Sequence, residues 1–450
     1  MKTMKVITPA SISLLLSLVS CSSSMEELIS MNTGSEVSAS VSRYPFGDAM
    51  TRVELSEGTN GVEFHWSAGD EIAVIGYVLD EYETDKTYQM TNHTLTSFAS
   101  DRLWANFDGG AFTLSASATY FSFYPYSATD AVIGTNQCER YMHFTNQTQT
   151  GNNSLSHLGA YNYMVADEVK TDAEGACRFQ FSNSCSPVRL TLTLPESAAG
   201  KTVTKLTLTR YQNADHKFVK KALQKMHKMS SGIEYQVSEN DISQTLSLTD
   251  CTIGEEHTLV AWEMFYPVDH TTGTLPARYY ITVSCSDGSV YAGQAAGKKM
   301  EGGKAYRINA SLSSSATLCE VEWGICNDGA TQPFDAGTIY NSYPEELADY
   351  LPTPAEAEAL ANKENYDVLL GSGYDSNGEK QFGVYIREKS ADNSHTPIFL
   401  PVTTPAEGGG YGRYLLRGGT KYLYFDANAQ TLSIEDLTTP LPAAARRLKK

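Results

Sequence analysis

The sequence has no apolar run long enough to cross a bilayer as a helix, although it begins with a short one. Two lysines precede the apolar core Leu14–Val19, and Cys21 follows soon after. A basic start and a short apolar run are typical of a secretory signal, because a spanning helix needs about 20 apolar residues. Residues 1–20 are predicted to be the signal, and residues 21–34 are predicted to form a tether.

Cysteine directly after such a run resembles a bacterial lipobox. This resemblance implies that Cys21 becomes the acylated N-terminus, so that a lipid attaches the chain to a membrane. Ser22, in place of an Asp, argues by the same analogy for the outer membrane. The alternative is an ordinary signal peptide with an incidental cysteine.

Positive charge is scarce in this chain. Its 450 residues include 34 Lys and Arg against 52 Asp and Glu, which gives a formal net charge of -18. Nucleic-acid binding needs a basic surface, so no nucleic-acid partner is expected. The 27 tyrosines and the 10% aromatic content argue against a disordered chain, and the length suffices for two or three domains.

Motifs that carry chemistry are missing as well. There is no Gly-x-Ser-x-Gly elbow and no phosphate-binding glycine loop, and the nine histidines are scattered without a second ligand at metal spacing. Gly408–Gly412 lacks the strand-to-helix context of a dinucleotide site and is predicted to be a mobile loop. Asp375–Gly378 could start a calcium loop, but no acidic residue closes it, so a hairpin turn is predicted. We expect no enzyme activity, no cofactor and no metal site.

Cysteine is present in a number that excludes a regular disulfide framework. Seven cysteines remain besides Cys21, and an odd count at irregular spacing indicates neither paired bridges nor zinc. Local bridges Cys177–Cys185 or Cys319–Cys326 remain open at this stage. Most of the seven are predicted to be buried small apolar residues.

Period-two alternation dominates what is present, and it predicts β-strands. Residues 34–41 alternate and predict a first strand. Val62, Phe64 and Trp66 alternate after a turn at Asn60-Gly61, and the apolar run Ile72–Ile75 predicts a strand covered on both faces. The segment is predicted to open an all-β domain.

The same segment resembles the start of mature fimbrillin-family proteins, the lipoprotein pilins and adhesins of Bacteroidales. The family pattern Trp-x-x-Gly-Asp-x-Ile-x-Val falls on Trp66, Gly69, Asp70, Ile72 and Val74. Further marks follow in the family's order: Tyr-Pro-Tyr at 124–126, the Thr/Gln-rich segment 145–150, and Gly-Lys-x-Tyr-x-Ile at 303–308. Together these marks cover roughly residues 35–312.

This resemblance implies two transthyretin-like β-sandwiches, at 35–170 and 173–312, the second starting near Phe179–Phe181. It also implies that a trypsin-like protease cuts at Arg43 or Arg52 and removes the first strand. A strand from the next subunit would then fill the groove by β-augmentation. The alternative is that both arginines are merely exposed.

Two segments of this region leave alternatives open. The aromatic strand Tyr120–Tyr126 is predicted to be core, with a sugar-binding platform as the alternative. In the basic segment His216–Lys228, Phe218, Ala222 and Met226 are spaced at i, i+4 and i+8. This spacing allows a short amphipathic helix, and the alternative is a solvated loop. A basic patch there could meet an anionic glycan or lipid.

A different module is predicted after the serine-rich linker Ser313–Ser315. Residues 316–450 resemble the Fibrobacter succinogenes major paralogous domain, which implies a small mixed α/β, C-type-lectin-like fold. Thr353, Pro354 and Glu356 predict the N-terminus of a helix. Ala357 replaces the family's Trp, and 412–417 departs from its Gly-x-Tyr-Trp-Ser-Ser segment, so no ligand contact is carried over. No cysteine follows Cys326, which argues against a formylglycine-generating enzyme.

The sequence therefore predicts a mainly β surface lipoprotein of the outer membrane that acts as a fimbrial tip or accessory subunit, or in cell adhesion. The expected partners are other fimbrial subunits and a host or bacterial surface protein or glycan. Thr431–Leu437 is the last strand candidate, and the prolines and basic tail after it donate poorly to a neighbour. The alternative is a membrane-anchored glycan-binding lipoprotein outside any pilus.

Overall fold

The computed structural model describes residues 37–42, 44–45, 61–79, 86–109, 114, 118–133, 137–211, 217–227, 233–272, 277–389, 395–406, 409–437 and 442–448. Cys21, Arg43 and Arg52 lie outside these residues, as do the signal and the tether. The chain is mainly β, as predicted. No helix in the described segments has both the length and the apolar character that a bilayer-spanning helix needs.

The first part of the chain forms a barrel and a small sheet. Its elements are β1 (Val37–Ser40), β2 (Tyr44–Pro45), β3 (Gly61–Val62), β4 (Glu71–Leu79), β5 (Lys86–Phe98), β6 (Trp104–Asp108), β7 (Thr119–Tyr124), β8 (Ala131–Ile133), β9 (Gln137–His143), β10 (Thr148–Thr150), the 3₁₀ helix η1 (Ser156–Tyr161), β11 (Met164–Val169) and β12 (Cys177–Asn183). Seven strands close a barrel in the order β1-β12-β11-β7-β4-β5-β6. The sheet closes because β1 pairs with β6 on one side and with β12 on the other.

The barrel departs from the predicted first sandwich in two ways. Its sheet closes on itself, and β12 (with Phe179 and Phe181) belongs to it, although the sequence placed that segment at the start of the second domain. The alternation after Asn60 also differs: β3 is only two residues long and pairs with β2, and Phe64 lies outside any strand. Trp66 is nevertheless buried against Phe107 and Phe181.

The second part contains two sheets that enclose one apolar core. Its elements are β13 (Ser186–Thr193), the 3₁₀ helix η2 (Glu196–Ala198), β14 (Thr202–Tyr211), β15 (Phe218–His227), β16 (Ile233–Asp241), β17 (Ser243–Thr252), β18 (Thr258–Phe265), β19 (Arg278–Cys285), β20 (Val290–Ala296) and β21 (Tyr306–Ser311). One sheet has the order β10-β17-β14-β19-β20 and the other β18-β13-β21. Leu190, Leu206 and Ile281 contribute to the core between them.

A four-stranded sheet joins the first two parts, in the order β16-β15-β9-β8. It corrects the prediction of a helix or loop for the basic segment, because the described residues Phe218–His227 form strand β15. Residues spaced by four share a face in a regular strand as well as in a helix, so the spacing of Phe218, Ala222 and Met226 is compatible with both. These three side chains lie in three different apolar clusters, so β15 connects the cores.

The third part is a small mixed unit. Its elements are β22 (Ser315–Leu318), β23 (Val321–Asn327), β24 (Ile339–Tyr340), the 3₁₀ helix η3 (Glu345–Tyr350), helix α1 (Pro354–Leu360), β25 (Tyr366–Tyr374), β26 (Lys380–Glu388), β27 (Ile398–Pro401), β28 (Thr404–Ala406), β29 (Gly409–Leu415), β30 (Lys421–Asp426), β31 (Thr431–Asp436), β32 (Ala443–Ala444) and β33 (Arg446–Leu448). Helix α1 confirms the predicted start: the Thr353 hydroxyl accepts from the Glu356 N–H, and the Glu356 carboxylate accepts from the Thr353 N–H.

Several smaller predictions have clear outcomes. The turn at Asp375–Gly378 is confirmed between β25 and β26. The predicted mobile glycine loop is wrong for its described part, because Gly409–Leu415 is strand β29. The Ser313–Ser315 segment is paired with β20 and β23 through ladder hydrogen bonds, so it is no flexible spacer.

All seven cysteines in the described residues are free, so neither local disulfide forms, and five of them are buried as predicted.

Aromatic side chains join the third part to the second. Tyr385 of β26 is fully buried and stacks on Tyr211 of β14, with ring centroids 4.7 Å apart. It also contacts Tyr280 of β19 at 5.6 Å and Phe399 of β27 at 4.8 Å. Gly371 of β25 lies under the Tyr385 ring, where a Cβ atom would approach ring carbons to 2.4 Å. The contact area is therefore apolar and closely packed.

Candidate functional site

The candidate site is the seat of the first strand, defined here as the groove between β6 and β12 that β1 occupies. β1 runs parallel to β12, with Val37 opposite Cys177, and antiparallel to β6, with Val37 opposite Phe107. Both edges of β1 are therefore in ladders. Removal of this strand would leave unpaired backbone groups on two neighbouring strands and would open the barrel.

Small side chains fill the seat. Val37 and Ala39 point to the apolar cluster of the barrel and are 1% and 0% exposed, and Ser38 and Ser40 alternate with them. The apolar contribution of β1 is thus close to that of one valine, about 1.5–3 kcal/mol. Most of what holds β1 is main-chain pairing, which does not depend on side-chain identity.

Two further residues extend the pairing beyond β1. The Val41 N–H donates to the Leu103 carbonyl at 3.0 Å on one side of the seat. On the other side the Asn183 amide donates to the Ser42 carbonyl at 3.0 Å, and the Ser42 hydroxyl donates to the Phe181 carbonyl at 3.1 Å. The seat therefore holds six residues, and it ends immediately before Arg43, the predicted cleavage residue.

A different edge in the second part is covered by side chains, a feature that the sequence did not reveal. Gln147 immediately precedes strand β10 and Gln149 is its middle residue, and both are fully buried, although glutamine is usually exposed. Each side-chain amide accepts from one backbone N–H of β18 and donates to one β18 carbonyl. Asn152 does the same at Val260 and Thr258. These amides occupy the free edge of β18, so no further strand can pair there.

The aromatic strand β7 confirms the core prediction. Tyr120, Phe121 and Phe123 are each at most 3% exposed, so they form no sugar platform. Tyr124, at the end of the same strand, lies at a different place: it borders a cavity at the end of the seat.

That cavity, called here the Trp66 cavity, has a volume of about 270 Å³. Its lining combines apolar and polar side chains, and it includes Val41, Val62, Glu63, His65, Trp66, Ser67, Asp70, Tyr124, Ser156, Asn162 and Met164. His65, Ser67 and Ser156 are exposed, whereas Trp66, Asn162 and Met164 are buried. The cavity therefore opens to solvent at one end and reaches the barrel core at the other.

Asp70 is the fixed carboxylate of this cavity. One of its oxygens accepts from the Tyr124 hydroxyl at 3.0 Å, and the other accepts from the Ser67 N–H at 2.7 Å. Burial raises the pKa of Asp70 above its ordinary value, and the two hydrogen bonds oppose that rise. At the rim, a carboxylate oxygen of Glu63 lies 3.5 Å from Nε2 of His65. Within the described residues no cluster of His, Cys, Asp and Glu is suited to hold a metal ion.

The described part of the C-terminal tail, residues 442–448, is paired within the third part. β32 pairs with β24 and β29, and β33 pairs with β23. Arg446 is 1% exposed and donates to the carbonyls of Gly324 and Phe399. Thr431–Asp436 forms β31 at the edge of its sheet.

The outer face of the last sheet carries tyrosines and an arginine. The Arg413 guanidinium lies 4.6 Å from the Tyr411 ring centroid and 5.8 Å from that of Tyr422. Tyr411 and Tyr424 have centroids 5.8 Å apart, and the Tyr422 hydroxyl donates to Glu435 at 2.9 Å.

No protein-family model and no curated protein sequence matches the chain. Among solved structures, a Bacteroides uniformis protein with a suggested role in cell adhesion is 14% identical, with a TM-score of 0.38 over 55% of this chain and 88% of that one. A Bacteroides ovatus protein with the same suggested role is 14% identical, with a TM-score of 0.37 over 61% and 91%. A fimbrial protein of Bacteroides ovatus is 10% identical, with a TM-score of 0.29 over 63% and 52%. Values this low transfer no function to the chain.

Proposed function

We propose that this chain is a surface adhesion subunit of a fimbria and that its first strand is replaced by a strand from another subunit. The observation that carries the proposal is the position of β1, which is the N-terminal described strand and closes the barrel between β6 and β12. A terminal strand can leave without unthreading the rest of the chain. Its departure creates two open ladders that a single extended segment can fill.

The chemistry of the seat supports exchange. Because Val37 and Ala39 are small, a replacing strand needs only small apolar residues at alternate positions, and the backbone supplies the remaining contacts. The covered edge of β18 supports the same proposal by contrast. Side chains of the chain itself occupy the edge of β18, whereas the seat is occupied by a segment whose last paired residue, Ser42, immediately precedes Arg43, a potential trypsin-like site.

The pairing of the last described strands supports a tip or accessory position. In the described residues the last two strands, β32 and β33, are paired inside the third part, and Arg446 is buried. A stalk subunit would need a terminal strand to give to its neighbour. A lipid on Cys21 would hold the precursor at the outer membrane until the cut after Arg43 or Arg52 removes it, and this part of the proposal rests on the sequence alone.

N-terminal sequencing of the protein isolated from the cell surface tests the proposal, combined with electrophoresis of unboiled samples. A mature end directly after Arg43 or Arg52, together with bands larger than the monomer, is the expected result. An intact end at an acylated Cys21 with monomer only would favour the second candidate, a membrane-anchored glycan-binding lipoprotein. The Trp66 cavity is the observation that favours this second candidate.

A further inference from the structure

Three side chains where the first and second parts meet form a continuous path of hydrogen bonds from an amine to a carboxyl. Nζ of Lys220 donates to Oε1 of Gln244 at 2.7 Å, and Nε2 of Gln244 donates to a carboxyl oxygen of Glu263 at 2.8 Å. Gln244 and Glu263 are each 1% exposed, and Lys220 is half-buried. We propose that Lys220 and Gln244 join spontaneously into an intramolecular amide with release of ammonia, and that Glu263 transfers the protons. This inference goes beyond adhesion and does not rest on strand exchange.

A further contact fixes the orientation of the Gln244 amide. Its Nε2 also donates to the Phe144 carbonyl at 2.6 Å, and a carbonyl oxygen only accepts. Nε2 is therefore the atom beside Glu263, and Oε1 is the atom beside Lys220. Because a C=O bond is about 1.23 Å long, Nζ of Lys220 lies within about 4 Å of Cδ of Gln244, the carbon that an amine attacks. Rotation of the lysine side chain brings the two atoms to the reactive separation of about 3–3.5 Å.

Burial favours the two protonation states that the reaction needs. An amine attacks only in its neutral form, and a carboxyl group gives up a proton only when it holds one. Burial lowers the pKa of Lys220 below its ordinary value, against the opposing effects of the Glu263 and Asp241 carboxylates. Burial also raises the pKa of Glu263, against the Gln244 hydrogen bond and Lys220. Both shifts favour a neutral amine near a protonated carboxyl.

The reaction balances without any further reactant. The Lys220 nitrogen forms a bond to Cδ of Gln244, and the bond between Cδ and Nε2 breaks. Protonated Glu263 gives its proton to Nε2, which leaves as ammonia, and the resulting carboxylate takes a proton from the Lys220 nitrogen. Glu263 returns to its starting form, one amide replaces another, and nothing is oxidised or reduced.

The product would be a covalent cross-link between two sheets. Lys220 lies on β15, in the four-stranded sheet that joins the first two parts, and Gln244 lies on β17, in the five-stranded sheet of the second part. A covalent link between residues distant in the chain restricts the unfolded state, which stabilises the folded one. It also holds the two sheets together under a pulling force that would break hydrogen bonds.

Peptide mass spectrometry of the full mature chain tests the proposal, after circular dichroism has shown that the chain is folded. Trypsin cuts after Lys217 and Lys221 but not after a lysine whose amine is acylated. We expect the fragment 218–221 to be attached to the fragment that contains Gln244, with a mass one ammonia below the sum of the two. Separate linear fragments from a folded chain would overturn the proposal.

Two variants test the reacting groups. Lys220→Arg keeps a positively charged donor but should abolish the branched fragment, because a guanidinium stays protonated and is no nucleophile. Glu263→Gln keeps an oxygen that accepts from Gln244 but has no proton to transfer. We therefore expect the branched fraction in freshly made protein to fall at least about tenfold. A branched fragment that persists in Lys220→Arg, or that stays at the wild-type level in Glu263→Gln, would contradict the proposal.

Lys221→Met is the matched control. The Lys221 ammonium lies over the Tyr141 ring, 4.1 Å from its centroid, and so belongs to a different contact from that of Lys220. This variant should keep the link between Lys220 and Gln244, in a fragment that extends to the next lysine. Loss of the link in Lys221→Met, or fragment spectra that place it on another lysine, would overturn the assignment.

Discussion

The side-chain amide of Gln149 pairs with the backbone of Trp262 as a neighbouring strand would. Its oxygen accepts from the Trp262 N–H at 2.7 Å, while its nitrogen donates to the Val260 carbonyl at 3.0 Å. Gln147 repeats the arrangement at Met264, with distances of 2.8 and 2.7 Å. A primary amide carries the same donor and acceptor as a peptide group. Two glutamines thus take the place of a strand along the edge of β18.

Replacement of Gln149 by alanine should destabilise the chain, because it leaves the buried Trp262 N–H without a partner, while the Val260 carbonyl still accepts from the Asn153 N–H. We expect the free energy of unfolding to fall by about 1–3 kcal/mol, the cost of one unsatisfied buried group. Chemical denaturation monitored by circular dichroism would measure it. Thr150→Ala, one residue along the same strand at an exposed position, should change it by less than about 0.5 kcal/mol. Equal effects of the two substitutions would contradict the role given to the amide.

Tyr385→Ala should loosen the third part from the second. The substitution removes a fully buried ring that stacks on Tyr211, and loss of a large buried aromatic side chain costs about 3–5 kcal/mol. We expect a lower first melting transition in calorimetry, assigned to the third part. Phe382→Ala on the same strand is the control, because Phe382 is 38% exposed. A single unchanged transition in Tyr385→Ala would show that the aromatic contact does not couple the parts.

Glu263 should make stability depend on pH. Burial raises the pKa of this carboxyl to about 7, while the Gln244 amide that donates to it at 2.8 Å and the nearby Lys220 act in the opposite direction. The folded chain therefore holds a proton that the unfolded chain releases near pH 4.5, the ordinary pKa for Glu. This contribution to stability is complete below about pH 4.5 and is lost as the pH rises through about 7.

Denaturation at pH 5 and pH 8 would measure that dependence. We expect the wild-type free energy of unfolding to be higher at pH 5 than at pH 8. Glu263→Gln should reduce this difference, because it removes the titrating group. Glu256→Gln at an exposed position is the control and should leave the difference as in the wild type. A wild-type chain that is equally stable at pH 5 and pH 8, with the same result for Glu263→Gln, would be inconsistent with a raised pKa of Glu263.

Strand patterns in this sequence were informative where the strand is buried. The apolar run Ile72–Ile75 and the aromatic run after Tyr120 lie in strands, as predicted, because the strand preference of alternating, β-branched and aromatic residues is a local property. The start of helix α1 at Thr353 was predictable for the same reason: a capping box is a contact between residues three apart.

Long-range pairing was not predictable in this way. Nothing local shows that β1 closes a barrel against Cys177–Asn183, which lies about 140 residues away, or that Gln149 pairs with Trp262. The basic strand β15 was missed because residues spaced by four share a face in both a helix and a strand. Of the predicted site residues, Cys21, Arg43 and Arg52 lie outside the described residues, and the lining of the Trp66 cavity is drawn from segments far apart in the chain.

The exchange of the first strand can be measured directly on a chain that begins at Tyr44 and a labelled peptide that spans Val37–Ser42. Circular dichroism and intrinsic fluorescence would first establish that the shortened chain remains folded. The proposal predicts saturable one-to-one binding of the peptide by fluorescence polarisation, and loss of binding for the peptide with Ala39→Asp, because Ala39 is completely buried. A folded chain that does not bind the peptide, or that binds both peptides equally well, would contradict the proposal.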